Sequence, residues 1–118
     1  MILVDTSVWI DHLRRGNARL ETLLQAALVS CHRFIVGELA CGTLRNRSEI
    51  LVLLGTLPSA TVATHDETLA FLEANRLMGK GLGYVDVHLL AAAMLEGTPL
   101  WSLDRRLAAA AGRLGIAA

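Results

Sequence analysis

Four acids carry the most chemistry in this chain, and each stands where an apolar segment gives way to something else: Asp5 after Ile2, Leu3 and Val4, Glu38 inside FIVGELACG, Asp86 after GLGYV, and Asp104 after PLWSL. An isolated carboxylate taken out of water is costly, so acids avoid such neighbourhoods unless something compensates them. If the fold gathers these four, they form an oxygen-only pocket of high negative charge. Such a pocket suits Mg²⁺ or Mn²⁺ and points to metal-assisted phosphate chemistry.

Each acid also has an ordinary use. Asp5 and Asp104 precede helical segments and can serve as N-caps. Asp86 falls in a first helical turn, where it complements the helix dipole. Glu38 can sit on a partly exposed helix side. A single shared pocket accounts for all four positions at once. Other chemistries fit less well. His12, His32, His65 and His88 are scattered and make no i, i+4 zinc pair. Ser7 and Ser102 have no histidine base beside them and no GxSxG elbow. The GKGLG stretch lacks the flanks of a phosphate-cradling loop.

The elements that must position these residues follow from periodicity. Ile2 to Val4 reads as a wholly apolar strand, followed by a helix to about Leu13 and a second from about Ala18 to Ala27, with Leu20, Leu23 and Leu24 on one stripe. A strand near Val29 to His32 completes a β-α-β unit. Helices follow over Phe34 to Ala40 and Arg45 to Leu54, then a short strand near Ala60 to Ala63. A helix capped by His65, Asp66 and Glu67 runs to about Met78. An apolar helix spans Val85 to Leu95, and Leu100 to Ser102 forms a strand. Arg105 to Ala111 forms a helix, and Gly115 to Ala117 a last strand. Strands that alternate with helices and are apolar throughout imply an α/β chain with a parallel sheet covered on both faces, a three-layer α/β/α sandwich. In such sheets ligands bind beyond the carboxyl ends of the strands, where Asp5 and Asp104 stand.

At 118 residues the chain is expected to be one domain, 1–118, burying roughly 65% of its unfolded surface. Its longest apolar stretch, Leu89 to Leu95, is far short of the roughly 20 residues that span a bilayer. The MILVD start reads as a strand and not a signal peptide. A cytoplasmic protein with no membrane association is expected. Cys31 and Cys41 form no CxxC and read as small core residues of a reducing compartment. Net charge is zero, against an extended nucleic-acid-coating surface. Of the eleven basic residues, Lys80 is the only lysine; the rest are arginine, the better phosphate fork.

Taken in order, MILVDTSVWIDHLR, GELACG, GYVDVHLLAAA and PLWSLDRRLAAAAGRLG make the chain resemble the PIN-domain ribonucleases, specifically the VapC toxins of bacterial toxin–antitoxin pairs. The resemblance runs from Met1 to the C-terminus and implies a five-stranded parallel sheet flanked by helices. It implies a homodimer, dependence on Mg²⁺ or Mn²⁺, and endonucleolytic cleavage of structured RNA such as tRNA or rRNA, leaving 5′-phosphate and 3′-hydroxyl ends. It also implies a small cognate antitoxin protein that occludes the pocket, as in type II pairs. Carried over, Asp5, Glu38, Asp86 and Asp104 match the family's acidic catalytic pocket. Asp5, Asp86 and Asp104 are the metal ligands, and Glu38 is a ligand or the base that orients water. Thr6 matches the small hydroxyl residue after the first acid, and Ser102 stands where the family often has threonine; both support the pocket.

Arg14, Arg15, Arg45 and Arg105 could contact the substrate backbone, although a solvated helix face is the ordinary role of such residues. The alternative class is a non-catalytic acid-pocket module, for signalling or partner binding, such as a receiver domain. A receiver needs a lysine near the last strands, and Lys80 is far from them in sequence. Two physical expectations follow. Crowded carboxylates should raise at least one pKa, so that metal-free protein gains stability as pH falls from neutral towards about 5. Apolar surface should remain after folding and mark an interface, with Leu20, Leu24, Leu51 and Leu54 as candidates.

Overall fold

Ile2, Leu3 and Val4 form the central strand, β1 (Ile2–Val4), because three consecutive apolar residues can be satisfied only where both faces of a sheet are covered. Leu3 and Val4 point to opposite faces, and both are fully buried. The computed structural model describes residues 1–118. After β1 come α1 (Thr6–Arg15), α2 (Ala18–Gln25), β2 (Val29–Ser30), α3 (Arg33–Ala40), α4 (Arg47–Thr56), α5 (His65–Ala74), α6 (Tyr84–Glu96), β3 (Leu100–Trp101) and α7 (Arg105–Arg113).

The sheet has the order β2-β1-β3, all parallel. Ile2 is opposite Val29 and Leu3 opposite Ser30 on one side; Leu3 is opposite Leu100 and Val4 opposite Trp101 on the other. The chain leaves β1 in one direction and returns across it to β3, so right-handed crossovers carry the two connections over opposite faces.

Three strands form a ladder, not the five expected. The two outer segments each make one parallel bridge, Cys31 with Ser59 and Leu100 with Ala117. The reason is local. Pro58 has no N–H to extend its pairing, and Thr61 and Val62 beyond it are exposed. The final segment enters through Gly115 at φ +75° and offers only Ile116 as a large apolar side chain. The expected strands are thus present as edge contacts: Ala60 N–H donates to Cys31 O at 3.0 Å, and Leu100 N–H to Ile116 O at 2.7 Å.

Helix α6 is the spine of the core. Val87 to Ala93 are all buried, and Trp9, Leu20, Ile35, Leu54, Leu77 and Leu107 pack into the same interior as Leu89, Leu90 and Leu100. Helix α5 is capped by Thr64 and not by His65: Glu67 N–H donates to Thr64 Oγ1, and Thr64 N–H to Glu67 Oε1, a capping box. It stops at Ala74, short of Met78, because Arg76 takes a left-handed φ of +52°, with Leu77 N–H bonded to Leu72 O and Arg76 N–H to Glu73 O. That is a Schellman closure.

Two further expectations change. Cys31 is buried, and burial pushes its thiol up to about 11, but Cys41 is exposed at the end of α3; both are free. Of the leucines expected to leave an apolar face, Leu20 and Leu54 are core residues. The large exposed apolar side chains include Val52 (69%) and Leu53 (49%) on α4, and Leu95 (60%) at the end of α6.

Candidate active site: acids at the strand ends

Asp5 leaves β1 and caps α1, so the central strand and the first helix fix it from both sides. It is buried, and its compensation comes through one oxygen. Oδ2 accepts from Ser7 Oγ at 2.7 Å, from Ser102 Oγ at 2.8 Å and from Ser7 N–H at 3.4 Å. Asp104 leaves β3 and caps α7 in the same manner: its Oδ1 accepts from Arg106 N–H at 2.9 Å and Leu107 N–H at 3.1 Å. Asp86 lies in the first turn of α6, and its Oδ2 accepts from Gly83 N–H at 2.9 Å. Glu38 is exposed on α3, and its Oε1 accepts from Thr6 Oγ1 at 2.7 Å.

Each carboxylate commits one oxygen to protein donors and keeps the other clear of any protein hydrogen bond: Asp5 Oδ1, Glu38 Oε2, Asp86 Oδ1 and Asp104 Oδ2. The ordinary role and the chemical role are not alternatives here, because they use different atoms.

Burial pushes the Asp86 carboxyl above its ordinary range. The Gly83 N–H opposes that shift, and the charges of Asp5 and Asp104 add to it. Three of the four acids thus lie within one electrostatic field. Glu38 joins them through Thr6, the neighbour of Asp5, so α3 is tied to the start of α1 beside the same strand end.

Sequence reasoning weighed Ser7 as a nucleophile and gave it no place in the acid site. Its hydroxyl donates to Asp5 and accepts from Leu103 N–H at 2.9 Å, while Ser102 Oγ donates to Asp5 and accepts from Asp104 N–H at 3.0 Å. Two serines in parallel thus lock the β3–α7 loop onto the β1 carboxylate. The only signal was proximity to Asp5, since its partner segment lies 95 residues away. Thr6 Oγ1 donates to Glu38, and Ser102 Oγ donates to Asp5.

The histidines supply no base to these acids. His32 and His88 are buried, His88 against Thr68; His12 Nδ1 accepts from Asn17 N–H, and His65 bonds the Tyr84 hydroxyl at 2.7 Å. Arg15 is paired with Asp11 at 2.7 Å. Arg14 and Arg45 flank Glu38 in a cleft of about 330 Å³ floored by Leu13, Leu39 and Leu44.

The donor set fits a hard divalent cation. It consists of oxygen only, strongly negative, with single free oxygens suited to one-point ligation in an octahedral shell more than to the bidentate clasp common for Ca²⁺. It is not a preformed cage: no three acidic, histidine or cysteine side chains converge closely enough to enclose an ion.

Comparison with known proteins gives the family. Residues 2–113 match the family model described as the PIN domain. The chain is 48% identical over 118 residues to Ribonuclease VapC32 of Mycobacterium tuberculosis, a match covering 99% of this chain and 95% of that protein. Among solved structures, Mycobacterium tuberculosis VapC20, titled a sarcin-ricin loop cleaving toxin, superposes with a TM-score of 0.67 at 21% identity, covering 93% of this chain and 95% of that one. FitAcB from Neisseria gonorrhoeae superposes with a TM-score of 0.64 at 19% identity, covering 95% and 94%. The family model over residues 2–113 and the full-length match at 48% identity show that the chain belongs to the PIN-domain family, within its VapC branch.

Proposed function

We propose that this protein is an endoribonuclease, the toxin of a toxin–antitoxin pair, that hydrolyses phosphodiesters in structured RNA, tRNA or rRNA, with Mg²⁺ or Mn²⁺ as cofactor. The observation that carries this reading is the division of each carboxylate into a tethered and a free oxygen at the ends of the central strands. Asp5, Asp86 and Asp104 would hold the cation through Oδ1, Oδ1 and Oδ2. When bound, a divalent cation supplies Lewis-acid stabilisation of phosphodiester charge and lowers the pKa of a water.

The residues of the chain do the rest. Ser7 and Ser102 hold Asp5 against rotation, so its free oxygen keeps one direction. Gly83 N–H and the α7 N-terminus do the same for Asp86 and Asp104. Thr6 orients Glu38 so that Oε2 can accept a proton from the attacking water in line with the scissile bond. A partner antitoxin and a homodimer complete the reading. The dimer is supported by the apolar side chains exposed on α4 and α6. No helix is long and apolar enough to cross a membrane, and a cytoplasmic site of action is proposed.

The test is cleavage of labelled structured RNA by purified protein in Mn²⁺ and in EDTA. Cleavage should require the metal and disappear in Asp5→Asn, Asp86→Asn and Asp104→Asn. Glu38→Gln should lose about 10² to 10⁴-fold, the usual worth of a positioned base. Wild-type rates in all three Asp→Asn variants would show that these acids do not form the active site.

A further inference from the structure

Lys80, Arg105, Arg106 and Arg113 line one groove of about 380 Å³ along α7, floored by Ala109 and Ala110. The chain has no net charge, so no basic excess forces cations together. None of the four is paired with a carboxylate, since the one ion pair is Arg15 with Asp11. Like charges gathered on one face repel one another, and the fold nonetheless holds these in place.

Two of them are braced. Arg113 Nη2 donates to Asn75 O at 3.0 Å. Arg106 lies flat against Gly81, where a Cβ would sit 2.6 Å from its Cδ and 2.9 Å from its Nε and Nη1; Gly81 also has φ +75°. The GKGLG loop therefore has a specific use: its bare backbone seats Arg106 and presents Lys80 beside it.

The groove begins where the acid cluster ends. Arg106 and Leu107 N–H groups hold Asp104, and Gly83, at the end of the Lys80 loop, holds Asp86. From Arg106 to Arg113 the helix rises about 10 Å, long enough for a nucleic-acid strand to present more than one phosphate to it. We propose that this groove is the track for the RNA phosphodiester backbone leading into the acid cluster, with Lys80, Arg105, Arg106 and Arg113 contacting its phosphates. This rests on the nuclease reading and extends it to a path. Nucleic acid is the polyanion whose next phosphate the acids, with a divalent ion, are equipped to receive. An acidic peptide continuing from the groove would bring only more carboxylates to them.

The experiment is fluorescence anisotropy of a labelled RNA hairpin with single-stranded flanks, titrated in EDTA across a range of salt, using wild type, Lys80→Ala/Arg106→Ala and Arg33→Ala. The double variant should lose about tenfold or more in affinity at low salt, and its slope of log K against log salt should flatten by about 1.4, or 0.7 per cation on a single strand. Arg33→Ala, an exposed cation at the start of α3 and outside the groove, should change neither. In Mn²⁺ the double variant should raise KM while kcat at saturating RNA stays near wild type. Wild-type affinity and slope in a double variant with an unchanged melting temperature would overturn the track. So would retained RNA binding with loss of antitoxin binding, which would make the groove a protein-docking face. Binding as expected by a wild-type protein that cleaves no RNA in Mn²⁺ would support the groove and overturn the nuclease reading.

Discussion

Ser7 sits two residues after Asp5 and holds it from a position that reads, in sequence, as one more capping residue. Its hydroxyl bridges Asp5 and Leu103 N–H, so Ser7→Ala hands the exposed Leu103 N–H to water and removes one of the donors to a buried carboxylate. The expected cost is about 1–3 kcal/mol, read as a lower melting temperature, together with roughly 10 to 100-fold slower cleavage, the usual scale for a residue that supports a metal ligand. Asp86 should respond in the opposite sense. Its carboxyl lies above the usual range because of burial and then because of Asp5 and Asp104. Asp86→Asn keeps an acceptor for Gly83 N–H and removes the repulsion, so the melting temperature in EDTA at pH 7 should rise while metal-dependent cleavage is lost; an unchanged or lower value would mean that Asp86 does not share its neighbours' field. The four acids were legible because each interrupts an apolar run. Ser7 was not, because a serine beside a strand end has many ordinary uses and its partner segment is remote in sequence.

Helix α3 begins at His32, whose Nδ1 accepts from Phe34 N–H at 3.0 Å while its Nε2 is buried without a partner. The cap works only with neutral imidazole. Burial first, then the charges of His88 and Arg33, lowers its pKa to about 4, and burial also lowers that of His88. The folded state therefore resists a proton that the unfolded chain accepts near pH 6.5, so these groups stabilise the protein above that pH, and the contribution drains away as pH falls towards 4. The raised Asp86 acts oppositely, favouring the folded state as pH falls towards its unfolded value of 3.8. Carboxylate crowding alone suggests a gain in stability towards pH 5; two buried histidines oppose it. Melting temperature in EDTA should drop between pH 6.5 and 4, and His32→Asn, which retains a capping oxygen, should flatten that slope. The helices were legible from apolar spacing and the central strands from unbroken apolar runs. The outer strands were legible in place but not in extent, since Ala60 to Ala63 and Gly115 to Ala117 read as strands and each segment makes a single edge bridge; the stop of α5 depended on the backbone angle of Arg76.

At the scale of the whole molecule, the cluster holds charge that folding brings together without a cationic side chain paired to it. Mn²⁺ binding only to the folded state should stabilise it by about 2.7 kcal/mol at a hundredfold excess over Kd. Calorimetry should show that shift in wild type and a much smaller one in Asp86→Asn. The zero net charge hid the arrangement, since acids meet at the strand ends while Lys80 and three arginines line α7. Composition averages over a surface that the fold divides. Val52 and Leu53, far more exposed than the leucines that sequence pointed to, are the better test of association. Val52→Glu/Leu53→Glu should convert a dimer to a monomer in light scattering, and a wild-type monomer at micromolar concentration would count against the dimer.

Because the tethered oxygen of Asp104 caps α7 and the other takes no protein hydrogen bond, Asp104→Asn should disarm the protein and leave its shape intact, asparagine being as good a cap as aspartate. A cell making the harmless version alongside the active one would then carry a decoy. The inert copies would occupy the antidote, and growth would fail at a dose of active protein that the antidote otherwise covers.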